Sequence, residues 1–495
     1  MTSFFEHILF QAKSHPKAPA IMTARVVVSY EELVNRVRGV TKYLSQQGVK
    51  SGQILALNLQ DPTAHCAAII GAMASGVGAL TTNGNKPNLP KNLKVDAMLS
   101  DHPVTLDGDI KSLTVPQNWL KDQQFTDVGL TLGGMSRDAV ARIITTSGTT
   151  GEQKAVPFSE EQLVARVYGQ MVGLRPLAGP SKTLGLMGIA SGAGFTNMML
   201  ILMTGGTLML VPGLTQLARV SSLYKMDRIL ASTAQLIGMV RQQENDSADF
   251  TGVRSMVVGG SHIPRSVAKR ARAICRNIIC LYGATEVGVV ATATTSFLAN
   301  HQSAVGYVAP GVTLEIVDET GMPVGAEQEG VIRVKVPGAA TRYLNDDKAS
   351  RTVFRDGWFY PGDTGSLSPD GLLFVTGRVS ERINAGGVKV APSVIEDVIG
   401  SRPEISDVAA FEHVNAEGIS EIAVAIVPHD NIDRTNFNRS ELRQYFQKQL
   451  REKTPRRWII VKEIPRNEQG KIDRAKLQRI SKAQASAARP QAALV

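Results

Sequence analysis

IITTSGTTGEQKAVPFS, residues 143–159, sets five hydroxyl side chains (Thr145, Thr146, Ser147, Thr149 and Thr150) around Gly148 and Gly151, with Lys154 close behind. The run Ala141–Thr145 before it is apolar and reads as a strand. Glycine lets the backbone come close to a ligand, and successive N–H groups, hydroxyls and a lysine are all donors to phosphate oxygens. The stretch therefore suits a phosphate cradle, since a surface turn needs fewer hydroxyls. It is not the G-x-x-x-x-G-K-[ST] loop. Only two residues separate Gly148 from Gly151, and the lysine comes three residues after the second glycine with no Ser or Thr behind it.

On either side of this loop, as far as about Gly377, helical patterns alternate with short β-rich runs such as Ile54–Leu59, Thr207–Pro212 and Ser255–Gly260. Such alternation predicts an α/β fold with largely parallel sheets. From about Gly311 the texture changes to short strands divided by Gly/Asp turns (VTLEIVD, GVIRVKV, LLFVTGR), which predicts a β-rich subdomain. Beyond Arg378 it changes again. PSVIEDVIG reads as a helix begun by Pro392, DVAAFEH and EIAVAIVP as paired strands, and SELRQYFQKQLREK as an amphipathic helix with Ser440 as N-cap. A separate α+β C-terminal domain is expected there.

The length of 495 residues implies at least two domains, and 43% hydrophobic with 20% charged residues is the composition of a globular enzyme. The longest apolar run, near Met198–Val211, is broken by Thr204, Gly205 and Gly206 and reads as a buried helix followed by a strand, so no membrane span is expected. The N-terminus lacks a basic segment and a small-residue cleavage site. Cys66, Cys275 and Cys280 are too few for a disulfide framework or a zinc site, so a reducing cytoplasm is the expected setting. The net charge of +10 suits a polyanionic substrate or simply solubility. Its dispersal, with no nucleic-acid module, argues against DNA or RNA.

TSGTTG-x-x-K resembles the signature of the AMP-forming adenylating superfamily, which includes acyl-CoA synthetases, adenylation domains of nonribosomal peptide synthetases and luciferase. Four further stretches fall in that family's order. LYGATEVG (Leu281–Gly288) is similar to its YGxTE. The resemblance implies that Tyr282 packs on adenine beside Gly283, Thr285 bonds the α-phosphate and Glu286 binds Mg²⁺. Cys280 stands where relatives usually carry Asn. DGWFYPGDTGSLSPDG resembles the motif whose aspartate grips the ribose, here Asp363. GRVSERINAGGVKVAPSVIED resembles the junction motif, which implies Arg378 on the ribose, Ser380 at the hinge position and Gly386, Gly387 and Lys389 on the face used in the thiol step. PRNEQGKIDRAKL supplies Lys471, implied to bridge the attacking carboxylate and the α-phosphate. VVGGSHIP resembles the loop beside adenine and acyl group, which brings in Gly259, Gly260 and Ser261.

The resemblance implies an N-terminal domain over 1–377 that binds ATP and carboxylate, a hinge at 378–383 and a mobile lid over 384–495. It also implies a two-step reaction. The carboxylate attacks the ATP α-phosphate to give an acyl-adenylate and pyrophosphate, and a thiol then displaces AMP. The opening loop, Thr146–Gly151 with Lys154, holds the β- and γ-phosphates. For the acyl group, Leu184–Met199 lacks the histidine that many acyl-CoA synthetases carry, its position being Ser191, and lacks the Asp that would pair with an α-amino group. Ser191, Gly192 and Gly194 leave two readings open, room for an aryl or branched acyl group or helix packing by small residues. The acceptor is CoA or a separate carrier protein, and a homodimer is compatible with the reading. A luciferase-like oxygenase and a silent nucleotide-binding relative are the competing classes.

Overall fold

The computed structural model describes residues 3–116, 139–147, 153–174, 181–211, 217–244, 250, 252–301, 303–378, 381–385, 388–415, 417–429, 439–467 and 471–487. Its architecture is mixed α/β. A six-stranded sheet is parallel except at its last pair, where Arg142–Ser147 and Gln153–Phe158 run antiparallel. The described ends of the glycine-hydroxyl stretch pair with one another, Thr146 opposite Lys154 and Ser147 opposite Gln153.

The second sheet has 15 strands among the described residues. Strands Lys182–Gly185, Thr207–Leu210, Arg228–Ser232, Ser255–Gly259 and Ile278–Ala284 are mutually parallel, as alternation with helices predicts. Ile278–Ala284 then turns back against Gly288–Thr294 in antiparallel register. From there the ladder runs on through Ala304–Val308, Leu372–Arg378, Asp363–Leu367 and Gly330–Lys335. The β-rich segment is therefore continuous with the parallel sheet rather than set apart from it.

Two large apolar cores flank these sheets. One gathers helices Tyr30–Gln46, Pro62–Ala74 and Gly192–Met203, the other helix Thr233–Glu244 and the parallel strands. Tyr30–Gln46 begins with a capping box of Ser29 and Glu32, and Pro62–Ala74 with Asp61 accepting from the amides of Thr63 and Ala64. No helix among the described residues is long and apolar enough to cross a membrane.

The C-terminal portion builds a sheet of its own. Ile405–Val414 pairs antiparallel with Ser420–Pro428, which pairs parallel with Arg457–Ile460. Helix Pro392–Ile399 carries proline at its first turn, as expected. Helix Arg439–Leu450 starts one residue before Ser440, which corrects the assignment of Ser440 as its cap: it lies within the first turn.

Candidate active site

Ile278–Ala284 is the last parallel strand, and the turn after it is where the sheet changes direction. Such switch points, beyond the carboxyl ends of parallel strands, leave a crevice for ligands. The turn Thr285–Val287 carries two of the candidate residues. It can close tightly only because Gly283 has no side chain, since a Cβ there would lie 1.9 Å from the Gly288 carbonyl oxygen. Glu286 is 8% exposed, its backbone carbonyl accepts from the Ala340 amide at 2.8 Å, and its Oε1 accepts from the Tyr343 hydroxyl at 2.7 Å.

A cavity of about 260 Å³ opens beside this turn, lined among others by Gly260, Ser261, Tyr282, Gly283, Asp363, Arg378 and Lys471. Asp363 and Arg378 come from separate motifs, 15 residues apart, and are register partners on neighbouring strands. Arg378 Nε donates to Asp363 Oδ1 at 3.0 Å, and the Tyr282 hydroxyl donates to Oδ2 at 2.6 Å. Burial, reinforced by the charge of Asp363, pushes the Tyr282 hydroxyl well above its ordinary range. The phenol therefore stays a donor. Arg378 is opposed by burial, but Asp363 and Glu381 outweigh this and raise its pKa.

Lys471 enters from the C-terminal portion, on the segment closed by the Arg466–Ile472 bridge and by the bond from its own amide to Asn467 Oδ1. It lies among the charges of Arg378, Glu286, Glu381 and Asp363. Burial first, then Arg378, lowers its pKa, while the three carboxylates oppose the shift. Lys154 reaches the same group from strand Gln153–Phe158, with Nζ 4.8 Å from the ring centre of Tyr343, whose hydroxyl holds Glu286. Thr146 lies opposite Lys154 in that strand pair, and Gly148, Thr149, Thr150 and Gly151 lie outside the described residues, as do Ser380, Gly386 and Gly387. Lys389 sits on strand Val388–Val390, opposite Asn384.

The small residues of the expected acyl pocket divide. Gly192 is buried against Thr285, with a notional Cβ 3.3 Å from Thr285 Cγ2, so it borders the turn. Gly259 ends strand Ser255–Gly259 close to Leu281. Gly194 has another explanation, because a Cβ there would be 2.2 Å from the Gly188 carbonyl. It is small so that helix Gly192–Met203 can pack on the preceding loop. Ser191 caps that helix, its Oγ accepting from the Gly194 amide and donating to the Gly188 carbonyl. For Ser191 and Gly194, helix packing is the reading that fits.

Among the described residues no cluster of three or more His, Cys, Asp or Glu could hold a metal by itself. One carboxylate with one oxygen fixed by a tyrosine suits Mg²⁺, which takes few protein ligands and completes its shell with phosphate and water. Tyr343, Arg166 and the pair His262–Asp397 were not anticipated from the sequence. Arg166 donates to the Thr285 carbonyl at 2.9 Å, and His262 Nε2 is 2.9 Å from Asp397 Oδ1. Each is a contact over long sequence separation, with no local motif to announce it.

The family described as AMP-binding enzyme matches residues 9–344. The chain belongs to this family of AMP-binding enzymes. Among its relatives, the indoleacetate–CoA ligase of Aromatoleum aromaticum is 28% identical over 374 residues, covering 72% of this chain and 71% of that protein. The 4-chlorobenzoate–CoA ligase of an Arthrobacter species is 26% identical over 518 aligned positions, covering 96% and 95%. Among solved structures, an anthranilate CoA ligase in complex with anthranoyl-AMP superposes with a TM-score of 0.85 at 18% identity, covering 98% of both chains. An amide bond synthetase from Marinactinospora thermotolerans reaches 0.79 at 19% identity, covering 96% of this chain and 99% of that one. These two likenesses establish a shared fold.

Proposed function

We propose that this AMP-binding enzyme is an acid–thiol ligase that activates an aryl or branched or medium-chain carboxylic acid with ATP and passes the acyl group to CoA. The observation that carries the reading is the convergence of Lys471, Arg378, Asp363 and Tyr282 on one cavity, with Glu286 close enough for its charge to act on Lys471. A carboxylate is a poor electrophile, and in-line displacement at phosphorus needs alignment and charge neutralisation more than covalent help. Lys471 bridges the attacking carboxylate and the α-phosphate, and Thr285 donates to that phosphate. Asp363 and Arg378 hold the ribose, Tyr282, Gly260 and Ser261 border adenine, and Thr146–Gly151 with Lys154 holds the β- and γ-phosphates. Mg²⁺, when bound at Glu286, neutralises phosphate charge. The sequence names of the relatives, ligases of indoleacetate and 4-chlorobenzoate, support an aryl acid. The test is pyrophosphate and AMP release with Mg·ATP across aryl, short-chain, medium-chain and amino acids, with and without CoA. AMP with one acid class and CoA-dependent turnover is expected. Turnover that stalls at a bound adenylate redirects the acceptor to a carrier protein, and ADP as product overturns the reading.

The chain then divides into 1–377, a hinge at 378–383 and a lid at 384–495. The separate apolar core built on Ile383, Ile395, Val424 and Phe446 supports that division. The lid is fastened to the larger part by His262–Asp397 and by Arg241, which donates to Ser406 at 2.8 Å. Burial opposes a charge on His262, but the hydrogen bond and charge of Asp397 prevail and raise its pKa. The ion pair is thus fully present at low pH and fades as pH rises through that raised value. With about 30% of the imidazole surface open, solvent tempers its strength. His262→Ala is expected to slow adenylate formation severalfold and to spare thioester formation from supplied acyl-adenylate, as single-turnover assays of each step would reveal.

The lowered pKa of Lys471 has a kinetic signature. Only the ammonium form neutralises the reacting groups, so activity falls as pH rises through its folded value. The alkaline limb of kcat/KM for pyrophosphate release is expected below the ordinary lysine value of 10.5. A pH–rate profile with no limb below that value contradicts the assignment.

A further inference from the structure

Arg166 lies on helix Glu160–Leu174, 5% exposed, with its guanidinium carbon 4.5 Å from the centre of the Phe158 ring. Its Nη2 donates to the Thr285 carbonyl at 2.9 Å, while Nε and Nη1 have no hydrogen-bond partner among the described residues. Among the described residues it forms no ion pair, and Glu286 is the carboxylate whose charge acts on it. The space it fills is shaped for it. Notional Cβ atoms on Gly288 and Gly338, both at positive φ, would stand 3.1 Å from Nη2 and 2.8 Å from Cγ. From the same helix, Gln162 donates to the Ala339 carbonyl at 2.7 Å, and the next amide, Ala340, holds the Glu286 carbonyl. One helix therefore grips the Thr285–Glu286 turn twice, once directly and once through the loop at 338–340.

A neutral donor would serve a single carbonyl. Burying a guanidinium with two unpartnered nitrogens and no ion pair, Glu286 acting on it only through its charge, is costly unless more negative charge arrives later. Burial does lower its pKa, to about 10, against the pull of Glu286, and it remains a cation at neutral pH. The group that brings negative charge to this turn in the proposed reaction is the nucleotide, and the inference rests on that reading.

We infer that Arg166 is a positioning residue of adenylate formation, fixing the Thr285–Glu286 turn and supplying from beneath it a positive charge that counts most as the attacking carboxylate adds its negative charge to the α-phosphate. A charge that counts most in the transition state changes kcat more than ground-state binding. Acting at one remove from the phosphate, it is expected to contribute less than a direct donor, about tenfold to hundredfold.

The test compares Arg166→Met, which keeps bulk and loses charge, with Arg166→Lys, which keeps charge and loses the fork. In Arg166→Met, single-turnover adenylate formation is expected to fall by about tenfold to hundredfold. The KM for ATP and calorimetric ATP binding without metal should stay within about threefold, and thioester formation from supplied acyl-adenylate should be unchanged. Arg166→Lys should recover most of the loss. Phe158→Leu, which removes the ring under the guanidinium and leaves Arg166 in place, should show a smaller loss confined to the same step, and it decides the matter if Arg166→Met does not fold. Wild-type rates in Met and Lys variants alike, or equal losses in both half-reactions with no recovery by Lys, would overturn the inference in favour of a plain structural tie. A wild-type protein that releases no pyrophosphate with any acid would instead remove the functional reading on which it rests.

Discussion

Replacing Lys471 with alanine is expected to lower pyrophosphate release by at least about a hundredfold, with ATP binding nearly intact. The lysine is a cation that the C-terminal portion brings to the charges of Glu286, Glu381 and Asp363. An attacking carboxylate and an α-phosphate repel one another, and a buried ammonium between them acts where water cannot screen it. Truncation leaves Arg378 in the cavity, still bonded to Asp363, so the proposed ribose grip is untouched. Calorimetry with ATP should therefore give an affinity within a few-fold of wild type, while rapid-quench adenylate formation collapses. Thioester formation from supplied acyl-adenylate bypasses the step and should survive. Retention of normal adenylation by Lys471→Ala would sink the mechanism.

Gly283→Ala is expected to be nearly as damaging, for a steric reason. The added Cβ would meet the Gly288 carbonyl oxygen at 1.9 Å, a backbone atom fixed in the antiparallel pairing of Ala284 with Gly288. The strands must part or the turn must reshape, and overpacking of this kind costs about 1–3 kcal/mol, occasionally more. The residues displaced would be Thr285 and Glu286. Loss of adenylate formation by on the order of a hundredfold, with a lower melting temperature, is the expected result, since small misplacements at a reacting centre have such effects. A variant with wild-type rate and melting temperature would mean that the turn does not have the geometry described.

The sequence made the site's polar side chains legible because each sits in a short motif. Tyr282, Asp363, Arg378 and Lys471 could each be picked from a few residues of context, and all of them line one cavity. Their supports could not be picked. Tyr343 reaches Glu286 across 57 residues, Arg166 reaches Thr285 across 119, and His262 reaches Asp397 across 135. No helical or strand period spans such distances. Gly194 shows the converse limit. A glycine in a loop-to-helix entry reads alike whether it clears room for a ligand or for backbone, and only the Gly188 carbonyl above it decides. The same holds for the β-rich segment. Its strands were evident, but their continuity with the parallel sheet depends on the register of Ile278–Ala284 against Gly288–Thr294.

Asp363 and Arg378 face each other across the final strand pair, and Arg378 is the last residue of Leu372–Arg378 before the chain passes toward the C-terminal portion. Under the proposed function, the nucleotide's handhold and the axle of the lid are one piece of backbone. An enzyme made this way keeps its nucleotide through the swing between half-reactions and lets it go at the end. AMP should be the last product off, leaving the free enzyme that only ATP then enters.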